Sequence, residues 1–331
     1  MRLMWLSGDT VFISSHDLRE VLRNNKKIIS LETFSEFRDL IEQVYLVMVL
    51  ESHQNLNYAT CKWRVLINDF NISRVLRPYS EFLYKEKRYM ILAYDLTPIK
   101  HMLSDVNRIS IEYQGDQIIK VHIASLISTY SIASKIRNVN KSESVYLDLE
   151  SKILETGAYT LVSFPRDLAY DVDVSLYIIP LTEASEISID NKNIILKDLE
   201  EISMRITPDK KSIPLAVASG AVLIPIKVMQ EKGYKEPNYV INDTHIEKID
   251  PDKIRVRILI DNLGDIDSKE ILAVAINKGR NIAVAKAKGD EREFTLELSK
   301  NIIDRGDPYI TIRVIWKWGD KKYFTSRNIA L

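Results

Sequence analysis

Apolar and polar residues alternate with a period of two along several short stretches. In Trp63-Arg64-Val65-Leu66-Ile67, residues 63, 65 and 67 share one face. In Arg108-Ile109-Ser110-Ile111-Glu112-Tyr113 the odd positions are apolar and the even ones polar. The same rhythm runs through Lys253–Ile260 and Ile310–Trp318. A period of two places one face of a strand in a core and the other toward water, the pattern of antiparallel sheets. Val44-Tyr45-Leu46-Val47-Met48-Val49-Leu50 is apolar throughout and β-branched, which predicts a strand buried on both faces.

Helical patterns are few. Asp17 to Asn24 predicts a short helix with Ser14 or Ser15 as its cap, and Ser35–Ile41 reads as a helix start. Thr97-Pro98 predicts one turn that ends by Ser104. With no succession of strands and long helices, a doubly wound sheet is not expected. Polar, charged stretches at Arg137–Ser144 and Glu231–Asn238 divide the chain into three pieces. The expected fold is therefore all-β. An N-terminal β-sandwich spans 1–140, 145–230 is a β-rich middle piece and candidate third sandwich, and an immunoglobulin-like β-sandwich spans 238–331.

Composition narrows the function. Among 331 residues, 46 are Lys or Arg and 46 are Asp or Glu, so the net charge is zero. Binding of nucleic acid through phosphate neutralisation usually requires a basic excess, which is absent globally. The lone cysteine, Cys61, forms no intrachain disulfide and fits a reducing compartment. The N-terminal run breaks at Ser7-Gly8-Asp9, too early for a secretion signal, and Ile213–Met229 is interrupted by two prolines, so no membrane span is expected. These features point to a cytoplasmic or virion location. Heavy use of Ile, Lys, Glu and Tyr suggests a thermophile.

Three short patterns occur in order between residues 44 and 130: Ile67-Asn68-Asp69, Asp95-Leu96-Thr97 and Val106-Asn107-Arg108-Ile109. Asn68 and Asp69 suit a tight hairpin turn, Thr97 can cap the turn begun at Asp95, and Asn107 can satisfy loop backbone groups. This succession resembles galactose-binding-like jelly rolls. The resemblance implies a scaffold; it carries over no sugar or calcium ligand. Farther on, Ile260-Asp261-Asn262-Leu263-Gly264 resembles the opening of cell-adhesion-related (CARDB-like) immunoglobulin-like modules, which implies a spacer or contact domain.

Signatures of chemistry are sparse. The five histidines include no pair at metal-ligand spacing, and there is no phosphate loop, nucleophile elbow or Cys-His pattern. Asp167, Asp171 and Asp173 repeat the spacing of Asp261, Asp265 and Asp267; such clusters can bind calcium, but turn conformation alone explains them. Catalytic, metal and cofactor sites are accordingly expected to be none. The best local cluster is basic and aromatic: Arg74, Arg77, Tyr79, Tyr84, Lys85, Lys87, Arg88 and Tyr89. It could stack on sugars or bases, or simply pin a loop. The expected function is a non-catalytic binding or assembly module with a protein partner, itself or another. A virion or surface structural subunit, a glycan-binding or glycan-acting protein, and nucleic-acid binding are the alternatives.

Overall fold

The computed structural model describes residues 3–6, 8–23, 27–34, 38–132, 145–149, 152–165, 170–231, 235–299, 301, 303, 309–318 and 321–330. The fold is all-β, and the described strands pair antiparallel into six sheets. The chain divides into two units, 1–233 and 234–331.

Unit 1 contains four sheets. The first has the order β3 (Lys27–Phe34), β9 (Val106–Gln114), β5 (Lys62–Ile67), β6 (Phe70–Ser73). The second runs β2 (Thr10–Leu22), β10 (Ile119–Tyr130), β4 (Ile41–His53), β8 (Lys87–Asp95), β7 (Ser80–Tyr84). The third runs β1 (Leu3–Leu6), β11 (Val145–Asp148), β19 (Ala221–Glu231), β14 (Val172–Pro180), β17 (Glu200–Ile206), with β12 (Lys152–Glu155) also pairing β19. The fourth runs β13 (Tyr159–Ser163), β18 (Ser212–Ser219), β15 (Ser185–Ile189), β16 (Lys192–Leu196).

These sheets stack as layers. Leu46, Met48, Leu50 and Leu92 of the second sheet are buried, and beside them the Trp63 indole of the first sheet donates to the Tyr94 hydroxyl at 3.1 Å. The alternate positions Val47, Val49, Ile123 and Ile127 pack instead against Leu147, Tyr177, Leu223 and Ile226 of the third sheet. The other face of the third sheet closes on the fourth through Val174, Leu176, Ile187 and Leu215. The second sheet is therefore covered on both faces, which is why Val44–Leu50 is continuously apolar. Burying those four aliphatic side chains stabilises by roughly 6–12 kcal/mol as an upper bound. That outweighs the polar contacts in the same seam, such as Ser15 Oγ with Tyr177 Oη and Ser125 Oγ, each at 2.8 Å and worth about 1 kcal/mol.

Residues of 1–140 and of 145–230 thus share a core, and the N-terminal strand β1 pairs with β11 of the middle piece from Leu3↔Asp148 to Leu6↔Val145.

The expected helix at Asp17–Asn24 is a correction. Residues up to Leu22 belong to strand β2, because cross-strand pairing with β10 overrides a weak local preference. Within the stretch Ser35–Ile41, residues 35–37 lie outside the described residues, Arg38–Leu40 is a single 3-10 turn, and the strand already begins at Ile41. The turn at Thr97–Met102 forms as expected, but its cap differs. Asp95 accepts from Thr97 N (2.9 Å), while Thr97 Oγ1 accepts from Val44 N (3.2 Å) and so ties the turn to β4. Asn68 and Asp69 make the hairpin turn with φ of 47° and 64°, and Asn107 accepts from Ser104 N and donates to Ser104 O.

Unit 2 is a two-sheet sandwich. One sheet runs β20 (Tyr239–Asp250), β21 (Lys253–Asn262), β24 (Glu293–Ser299); the other runs β23 (Arg280–Lys288), β22 (Glu270–Asn277), β25 (Tyr309–Trp318), β26 (Lys321–Ala330). The alternating runs Lys253–Ile260 and Ile310–Trp318 lie in β21 and β25. The core joins Val256, Ile258, Ala273, Phe294, Val314 and Trp316. Asn262 Oδ1 accepts from Asn238 N and Gly264 N, each at 2.9 Å, which gives the Asn262-Leu263-Gly264 pattern its role. A side chain at Gly264 would collide with the Glu236 carbonyl.

Candidate functional site

The basic-aromatic cluster read from the sequence lies on and around the hairpin of β7 and β8, and the pleat divides it. Tyr84 pairs with Lys87 and Phe82 with Tyr89, so these four side chains share the face that looks toward the third sheet. Tyr79, Phe82 and Tyr84 pack there as partly buried apolar surface, and Tyr89 is fully buried. Lys85, at φ 54° in the two-residue turn, holds its ammonium 5.3 Å above the Tyr84 ring. Arg88 points to the opposite face. Its guanidinium donates to Gln54 O (2.7 Å) and to Glu81 (3.2 Å), and lies 5.6 Å from the centre of the Tyr58 ring. The Tyr58 hydroxyl also donates to Glu81. Arg74 and Arg77 are exposed on the loop before the hairpin. Tyr79, Tyr84, Lys87 and Tyr89 therefore lie on one face, Arg88 on the other, Lys85 at the turn, and Arg74 and Arg77 on the preceding loop.

The structure adds two residues that the sequence reading missed. Glu51 of β4 lies directly opposite Tyr89, and His122 lies at a break in the β10 register, between Val121↔Leu50 and Ile123↔Val49. A bulge of this kind re-aims a side chain. His122 Nε2 donates to Glu51 Oε2 at 2.9 Å, Lys87 Nζ donates to Oε1 at 2.8 Å, and Tyr89 is the cross-strand neighbour of Glu51. Burial pushes the Glu51 carboxyl up, but the hydrogen bonds and charges of His122 and Lys87 outweigh it and hold it at about 2. Burial, with the Glu51 charge beside it, pushes the Tyr89 hydroxyl well above its ordinary range. Glu51 is thus ionised at neutral pH with both oxygens engaged, so it has no proton to donate. A charged residue ending the run Val47–Leu50, and a histidine inside Val121-His122-Ile123, were the available signals.

The other candidates are dispersed. Asp167 lies outside the described residues; Asp171 and Asp173 both face Arg205, at 4.0 and 2.9 Å. Asp261 accepts from Asn242, Asp265 from Lys235 N at 2.9 Å, and Asp267 from Arg292 at 2.6 Å. Among the described residues, no group of His, Cys, Asp and Glu is arranged to hold a metal ion. Trp316 and Trp318 are core residues, and Trp316 donates to Pro237 O at 3.1 Å. Cys61 is buried, and that burial pushes its thiol up, against activation as a nucleophile. Among the described residues, no helix is long and apolar enough to cross a membrane.

No family model matches the chain, and no curated protein matches its sequence. Among solved structures it is similar to an FMN-binding beta-glucuronidase from Facaelibacterium prausnitzii L2-6, at 9% identity over 56% of this chain and 32% of that one, with a TM-score of 0.25. A Ruminococcus gnavus beta-glucuronidase aligns at 8% identity over 57% of this chain and 36% of its own, with a TM-score of 0.22. The same enzyme in complex with D-glucaro-d-lactam aligns over 93% of this chain and 36% of its own at 10% identity, again with a TM-score of 0.22. The chain spans about a third of the length of the solved proteins it matches.

Proposed function

We propose that this chain is a non-catalytic binding and assembly module that works through the surfaces of its β-sandwiches. The observation that carries this reading is the state of Glu51. Where titratable side chains from three strands converge, they saturate and neutralise one another across a sheet instead of leaving an acid or base poised toward a cleft. The node fastens the rim of a layer contact.

The strand orders support the finer assignments. The first two sheets, ordered β3-β9-β5-β6 and β2-β10-β4-β8-β7, interleave early and late strands as a galactose-binding-like jelly roll does. The orders β20-β21-β24 and β23-β22-β25-β26 suit an immunoglobulin-like module. The third and fourth sheets then form a middle sandwich. A protein partner is the natural occupant of such surfaces.

A glycan-binding surface is the second reading. It is favoured by the Tyr58 ring beside Arg88 and Glu81, an aromatic with a charged fork at a sheet rim. Two assays separate the readings. The purified chain is expected to release no chromophore from aryl glycosides, including a β-glucuronide, and to show no glycan-array signal that Tyr58→Ala or Arg88→Ala removes. Hydrolysis abolished by Glu51→Gln would overturn the non-catalytic reading.

A further inference from the structure

The two outer faces of unit 2 differ in how their charges are matched. On β20-β21-β24, Arg255 pairs with Glu297 at 3.0 Å and Arg257 with Glu293 at 2.7 Å. On β23-β22-β25-β26 the register brings Lys286, Lys288, Arg313, Lys317 and Lys322 to the outer face, with Glu270 as the carboxylate among them. Glu270 pairs with Lys286. Lys317 and Lys322 stand directly opposite each other in the register. Between these cations lies apolar surface: Leu272 and Ile315 are half-buried, while Val284 and Phe324 are 58% and 60% exposed. Arg313 lies 4.6 Å from the centre of the Phe324 ring, with its buried Nε lacking a hydrogen-bond partner.

We infer that this outer face of unit 2 docks a partner protein through a segment that presents apolar side chains flanked by Asp and Glu. The inference rests on the module reading above and assigns it one surface and one partner chemistry. Charge complementarity fixes the sign of the partner: with Lys286 held by Glu270, the carboxylate of the face among the described residues, Lys288, Arg313 and Lys322 add positive charge there. The aliphatic centre fixes its kind. Nucleic acid would call for open aromatic faces on which bases stack. Here the centre is aliphatic, Leu272, Val284 and Ile315, and the Phe324 ring has Arg313 against one of its faces.

The test uses the full chain and a short fluorescein-labelled peptide of alternating Leu and Glu, read by anisotropy. Binding is expected, weakening with salt, and the same peptide with Gln for Glu should bind at least roughly tenfold more weakly. Lys288→Glu with Lys322→Glu, and separately Phe324→Ser, should each weaken binding by roughly tenfold or more, whereas Lys253→Glu on the opposite sheet should not. Lys322→Glu alone changes an exposed side chain, so its melting temperature should stay close to that of the natural chain and its loss of binding is read on a folded protein. Equal binding of the Gln peptide overturns the inference. So does tighter binding of an oligo-dT strand, or a concentration-dependent dimer that Phe324→Ser dissolves. Each of those outcomes leaves the non-catalytic reading standing, since that reading is tested by glycoside hydrolysis.

Discussion

The β2-β10-β4-β8-β7 sheet and the β23-β22-β25-β26 sheet are built from similar strands and put to opposite uses. In the first, β10 is buried at nearly every position and β4 carries five consecutive buried residues, Leu46 to Leu50. In the second, β25 alternates buried and half-open positions along its length. A layer covers both faces of the first sheet, while the second keeps its outer face open. Loss of alternation is thus the sequence record of a covered face, and retained alternation marks a face available for contact.

Placing a charge on each sheet exposes the contrast most strongly. Val49→Asp puts a carboxylate into the seam between layers and should cost unit 1 about 4 kcal/mol or more. Ile315→Asp on the open face should cost under about 1 kcal/mol. Urea midpoints of the two variants measure the difference.

The Glu51 node gives the next largest effect. Glu51→Gln removes the charge that Lys87 and His122 address and should destabilise by about 2 kcal/mol. Acid should act on the same node. The folded carboxyl lies at about 2 and its ordinary value is 4.5. Its contribution is therefore complete above pH 4.5 and is lost as pH falls from 4.5 through 2. Urea midpoints across that window should fall more steeply for the natural chain than for Glu51→Gln. Tyr177→Phe, which removes the bond to Ser15 in the same seam, should cost about 1 kcal/mol.

How much of this was readable depended on the cover. In unit 2 the runs Lys253–Ile260 and Ile310–Trp318 were legible as strands, because one side of each keeps contact with water and the period of two survives. In unit 1 the continuous run Val44–Leu50 announced a doubly buried strand, but not what lies over it, since Tyr177, Leu223 and Ile226 are distant in sequence. Strand β2 reads locally as Asp17-Leu18-Arg19-Glu20-Val21-Leu22, a passable helix, and becomes a strand through its eleven register partners along β10. The basic-aromatic cluster was found as residues, read either as a binding surface or as a loop pinned by its own aromatics, without the way the pleat divides it. Alternation sends Tyr84, Lys87 and Tyr89 to one face and Arg88 to the other, and Glu51 and His122 complete the group from strands far along the chain.

Thiol labelling tests the central distinction between covered and open sheets most directly. In a Cys61→Ala background, Val49→Cys and Val284→Cys are each exposed to a thiol reagent under native conditions. Val284→Cys is expected to react close to the rate of a free thiol, and Val49→Cys at least about a thousandfold more slowly, at a rate that follows opening of unit 1. Equal labelling of the two under native conditions would contradict it.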